Sequence, residues 1–149
     1  MSLPRAPLLL GLAGLLPFLY GAAQAMGVIA FDFGAPGSGP LAAFTDGPRL
    51  LVAYGTVILA FMSGVLWGFA ARGEAMLPYL LSVLPALWAF FMTGGDTGTA
   101  IASLGVGFVA LLGVDWWFAR QGLAPGWWMR LRVLLTAVVV LCLLIGGMG

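Results

Sequence analysis

The 149-residue chain is 62% hydrophobic and 7% charged, with a formal net charge of +1. A water-soluble domain carries about 25% charged residues to wet its surface, so lipid must cover most of this one. Six arginines stand with no lysine and no histidine, which excludes a Schiff-base lysine, a Ser-His-Asp or Cys-His arrangement, and imidazole-ligated haem, zinc, copper or iron. The lone Cys142 holds neither an iron–sulfur cluster nor a disulfide framework, and the arginines form no stripe for nucleic acid.

In chain order, the first apolar run is 8–31, interrupted only by Pro17, glycines and Gln24. Arg5, the apolar stretch and Ala23-Gln24-Ala25 have the outline of a secretory signal peptide. Apolar character continues through Phe31, however, which is long enough for a retained signal-anchor helix. A Gly- and Pro-rich outer loop, 32–49, follows, and its Leu41-Ala42-Ala43-Phe44 patch suits the membrane interface or a partner. Further apolar runs cover 50–71, 76–93, 99–118 and 129–148. Each is close to the ~20 residues that a helix needs to cross a bilayer core, and none shows the alternation of a barrel strand. Arg72-Gly73-Glu74 and Gly94-Gly95-Asp96-Thr97-Gly98 are tight turns, so the second, third and fourth helices must be antiparallel neighbours. Gly94 suits a helix C-terminus and Asp96 an N-cap. The expected fold is an all-α integral membrane protein, one bundle of five transmembrane helices in a single domain, 1–149.

The arginines orient it. Arg5, Arg72, Arg120, Arg130 and Arg132 fall on one side of the bundle and Arg49 alone on the other. Basic residues near helix ends stay in the cytoplasm during insertion. Trp67, Trp116, Trp117, Trp127 and Trp128 fall towards the same face, where amphipathic rings settle at headgroup level. This predicts a cytoplasmic N-terminus and a periplasmic C-terminus.

Three features carry possible function. Ala60, Gly64 and Gly68 form a small-residue stripe on the second helix, and small residues let helix backbones approach closely in lipid. The stripe is either a docking face for another subunit or a seam within the bundle. Pro17 and Pro85 break backbone hydrogen bonding inside helices, as in the broken helices of transporters, but no acid or base accompanies either at mid-depth, which leaves them as kinks. Asp115 lies about one turn inside the fourth helix, where an unpaired carboxylate is costly. Reflection about the following loop places it opposite Arg132, with Arg130 half a turn away. A structural ion pair between the last two helices is the leading reading; a proton relay or a quinone headgroup site is the sharper one.

Several segments together resemble a known family. They are Arg5-Ala6-Pro7-Leu8-Leu9-Leu10-Gly11-Leu12-Ala13-Gly14-Leu15-Leu16-Pro17-Phe18, Tyr54-Gly55 through Trp67-Gly68, Ser82-Val83-Leu84-Pro85, and Asp115 with Pro125-Gly126-Trp127 and Arg130-Leu131-Arg132 leading to Thr136. The resemblance is to small, uncharacterised bacterial and mitochondrial inner-membrane proteins grouped as a domain of unknown function, whose animal member is transmembrane protein sixty-nine. Leu66 stands where that family more often carries a polar or basic residue before the Trp-Gly pair. The resemblance brings no established activity; it implies an alphaproteobacterial or mitochondrial inner-membrane setting and points to energy-transducing complexes.

The expected function is a non-catalytic accessory or assembly subunit of a larger inner-membrane complex, of the respiratory, energy-transducing kind. It would hold no cofactor or metal and would contact membrane lipids and other integral membrane subunits through helix packing. The alternatives are a small oligomeric transporter or channel, or a lipid- or quinone-binding protein. A transport path requires a polar seam at mid-depth, whereas Gln24, Thr56, Ser63 and Ser103 are scattered.

Overall fold

The computed structural model describes residues 2–30 and 42–149. Phe31, Asp32, Leu41 and most of the expected outer loop lie outside the described residues. Among those described, every regular element is a helix. Helices α1 Arg5–Gly14 and α2 Leu16–Ala25 make the first span, followed by α3 Gly47–Ala70, α4 Met76–Met92, α5 Thr97–Arg120 and α6 Trp128–Met148. A short 3₁₀ turn, Ala42–Thr45, leads into α3. Spans of 21, 24, 24 and 21 residues (5–25, 47–70, 97–120 and 128–148) are long and apolar enough to cross a membrane. With 17 residues, α4 sits at the lower limit of about 17. The chain is a multi-pass, all-helical membrane protein, as its apolar runs predict.

The helix ends follow local chemistry more closely than apolarity does. The first span starts at Arg5 and stops at Ala25 rather than covering 8–31. Gly27 takes φ +72°, a left-handed conformation that costs glycine nothing. Its N–H donates to the Gln24 carbonyl and the Val28 N–H to that of Ala23, both at 3.0 Å. This Schellman closure ends the helix although apolar residues continue. Gly122, with φ +71°, closes α5 in the same way onto Ala119 and Phe118. Gly94 lacks a positive φ, and α4 ends instead with the Thr93 hydroxyl donating to the Ala89 carbonyl at 2.5 Å. Asp96 caps α5 as expected, accepting from the Thr99 N–H at 2.9 Å, and Asp46 caps α3.

Both prolines interrupt backbone hydrogen bonding, and beside each a neighbouring helix bonds to the backbone. Without an N–H at Pro17, α1 gives way to α2 at Leu15. There the Tyr54 hydroxyl of α3 donates to the Gly14 carbonyl at 2.9 Å. Pro85 lies inside α4; next to it, the Ala86 N–H donates to the Ser63 hydroxyl of α3 at 2.7 Å. In lipid no water stands ready to satisfy such groups, so another helix must.

At the centre, α3 packs against α2, α4, α5 and α6, while α5 packs against α4 and α6, and α6 closes back onto α1 and α2. Phe18, Leu51, Leu59, Leu66, Leu104 and Phe108 form the buried middle. Where α2 meets α3, a side chain on Gly47 would strike the Gly21 carbonyl and come within 2.7 Å of the Ala25 nitrogen, so backbones touch there and no other residue fits. Between α4 and α5 the Trp88 indole donates to the Ser103 carbonyl at 2.7 Å.

Candidate functional site

A buried polar cluster lies where the C-terminal end of α5 faces the first turns of α6. Asp115 is fully buried, and the side chain of Arg132 is 5% exposed. The Arg132 Nε donates to the Asp115 Oδ2 at 2.7 Å, and the Trp128 indole N–H donates to Oδ1 at 2.9 Å. Each carboxylate oxygen therefore has a donor, which meets the carboxylate's share of what a buried ion pair needs to offset the cost of leaving water. Phe69 of α3 packs edge-on to the Trp128 ring at 5.0 Å, fixing the indole that holds Oδ1. The arrangement joins two consecutive helices across their short connection.

Arg132 is the partner that reaches Asp115; Arg130, two residues earlier on α6, is exposed. Trp128, read from sequence as an interface anchor, is 9% exposed and acts as a hydrogen-bond donor in the interior. Trp67 and Trp116 remain outward, at 50% and 54% exposure. The spacing carries the missed signal. Trp128, Arg132 and Thr136 recur every fourth residue, so they share one face of α6, the face turned to Asp115.

Two polar atoms on that face have no protein partner: the Arg132 Nη2 and the Thr136 Oγ1, both buried. Thr136 differs here from Thr56 and Thr93, whose hydroxyls donate back to Val52 and Ala89, four residues earlier, at 2.7 and 2.5 Å. Arg132 and Thr136 line a cavity of about 270 Å³ that is otherwise apolar, with Gly14, Phe18, Ile58 and Phe108 among its walls. It lies beside the α1–α2 break, and Leu10 and Phe61 at its margin are 74% and 63% exposed on the outer surface.

The small-residue stripe falls elsewhere. Ala60, Gly64 and Gly68 all lie on the exposed side of α3. A Cβ built on Gly64 or Gly68 meets nothing within 4 Å. The stripe is thus not a seam inside this bundle, one of the two readings its spacing allowed. Of the residues scattered along a possible transport seam, Ser63 accepts from the Ala86 N–H beside Pro85 and Thr56 donates to its own helix, while the Gln24 amide nitrogen donates to the Phe44 carbonyl at 2.8 Å and its Oε1 is buried without a hydrogen-bond partner.

Comparison with known proteins agrees with a membrane family of unassigned role. The chain is 32% identical over 149 residues to a protein of Xenopus tropicalis called transmembrane protein 69, an alignment that covers 94% of this chain and 53% of that one. The chain therefore spans about half the length of this curated relative. No solved structure matches. The model of the family described as "Protein of unknown function (DUF3429)" matches residues 3–148, and the chain belongs to that family.

Proposed function

We propose that this chain is a non-catalytic accessory or assembly subunit of a larger bacterial inner-membrane complex, a respiratory one, with its N-terminus in the cytoplasm and its C-terminus in the periplasm. The observation that carries the reading is the outward stripe Ala60, Gly64 and Gly68, where an added side chain at either glycine meets nothing within 4 Å. Lipid gives helices no hydrophobic reason to associate, so tight association needs close backbone approach, and small residues supply it. A stripe of this kind that the bundle leaves unused fits a helix from another subunit. Phe61 and Trp67, 63% and 50% exposed, stand on the two sides of the stripe and would flank such a helix.

Gly64→Leu tests it. Leucine is a better helix former than glycine, and the open space around Gly64 admits it, so the variant folds and inserts. In mild-detergent purification the wild type should co-migrate with other membrane subunits, and the variant should run free of them. A wild-type chain that purifies alone and moves a solute across proteoliposomes sinks the reading and favours the transporter. That alternative has less support, because the Thr56 and Ser63 hydroxyls and the Gln24 amide nitrogen are engaged on backbone.

A further inference from the structure

We infer that the cavity between α1–α2, α3, α5 and α6 is a binding site for the carbonyl end of a neutral, lipid-soluble molecule, held by the Arg132 Nη2 and the Thr136 hydroxyl. Two independent observations meet there. One is a cavity of about 270 Å³ with an apolar wall. The other is a pair of buried, unpartnered polar atoms on two of its lining residues, each of those residues only 4% exposed. Buried polar groups are nearly always satisfied, and one that is not marks an unexplained partner. Thr136 had an alternative, since Thr56 and Thr93 in this chain donate to their own helices.

The chemistry of the ligand follows from the groups. The guanidinium Nη2 carries only donors, and a hydroxyl donates or accepts, so the ligand presents an acceptor oxygen. Its charge follows from Asp115, which already neutralises Arg132 at 2.7 Å. An anion would leave one net negative charge in an apolar space within the membrane, which is costly, whereas a neutral carbonyl adds none. Water satisfies the polar atoms but not the rest: a water takes up ~30 Å³, so the cavity exceeds one or two bridging waters and its remaining wall is hydrocarbon. The exposed margin at Leu10 and Phe61 leads to the acyl chains, so entry is from the bilayer. A quinone ring and the ester carbonyl of a diacyl lipid share this chemistry.

The test uses the full chain, purified in detergent, with decyl-ubiquinone and dioleoylglycerol as separate probes and dodecane as the probe without a carbonyl. Binding is read by native mass spectrometry and by ligand-dependent shifts in melting temperature. Thr136→Val keeps shape and removes the hydroxyl; Ile58→Phe narrows the opposite wall and leaves the ion pair alone. Binding of either carbonyl probe, weakened about tenfold by Thr136→Val, as loss of one hydrogen bond predicts, and also weakened by Ile58→Phe, supports the site. Which probe binds tells quinone from lipid ester. Failure of both to bind overturns the inference. So does binding that Thr136→Val leaves unchanged, or dodecane binding as tightly as the carbonyl probes.

Discussion

The Asp115–Arg132 pair makes an asymmetric prediction. Asp115→Asn keeps the shape of the side chain but strands a guanidinium whose side chain is 5% exposed. A guanidinium cannot shed its proton, so the charge stays buried without its partner, a loss of about 3–5 kcal/mol. Arg132→Met strands a carboxyl group instead. That group can take up a proton, and the Trp128 indole still donates to it, so the loss is nearer an unsatisfied polar group, about 1–3 kcal/mol. In the double variant the amide that replaces the carboxylate keeps its hydrogen bond from Trp128, and no charge remains. It should therefore be more stable than Asp115→Asn alone by about 2 kcal/mol. Simple addition of the two losses would give about 4–8 kcal/mol, a large part of the ~5–15 kcal/mol that holds a protein folded. Reversible unfolding in mixed micelles, followed by tryptophan fluorescence, measures all four proteins. An Arg132→Met loss larger than that of Asp115→Asn, or a double variant that loses the sum of both, refutes the asymmetry.

Two further predictions rest on the helix contacts and on the arginines. Ser63→Ala removes the acceptor of the Ala86 N–H beside Pro85 and should cost about 1–3 kcal/mol, while Ser63→Thr, which keeps a hydroxyl, restores most of it; equal melting temperatures for all three chains would show that α4 satisfies this group by itself. The orientation inferred from the arginines predicts that a reporter fused after Gly149 is active in the periplasm and one inserted at Gly73 in the cytoplasm, and the reverse pattern overturns it.

Much of the bundle was legible because lipid reduces the code to length and apolarity. Runs read as 50–71, 76–93, 99–118 and 129–148 became helices 47–70, 76–92, 97–120 and 128–148. The first span is shorter than its apolar run because hydropathy continues past Ala25, whereas the helix answers to the conformation of Gly27. The geometry opposite Asp115 could be reasoned from the loop length between α5 and α6. The role of Trp128 could not be told by residue type, since an indole near a helix end suits an interface as well as an interior; only its phase with Arg132 and Thr136 distinguishes the two. The cavity was beyond sequence altogether. It arises from the packing of α3, α5 and α6 around the break at Leu15, and neither a volume nor an unpartnered hydroxyl leaves a mark on a single helix pattern.

The 17 residues of α4 extend about 26 Å at ~1.5 Å per residue, some 4 Å short of a ~30 Å hydrocarbon core. The helix turns Leu77, Leu80, Leu84 and Phe91 outward, so acyl chains on that flank must compress to meet it. At fractions of a kcal/mol per Å, the strain in the surrounding lipid is of order 1 kcal/mol. It is an elastic dimple on one side of an otherwise full-length bundle. Another membrane protein with a short flank, brought alongside, shares one dimple in place of two and is drawn in without touching. Thick, sterol-rich bilayers deepen the dimple and thin ones erase it, which makes bilayer thickness a physical control on the neighbours this chain keeps.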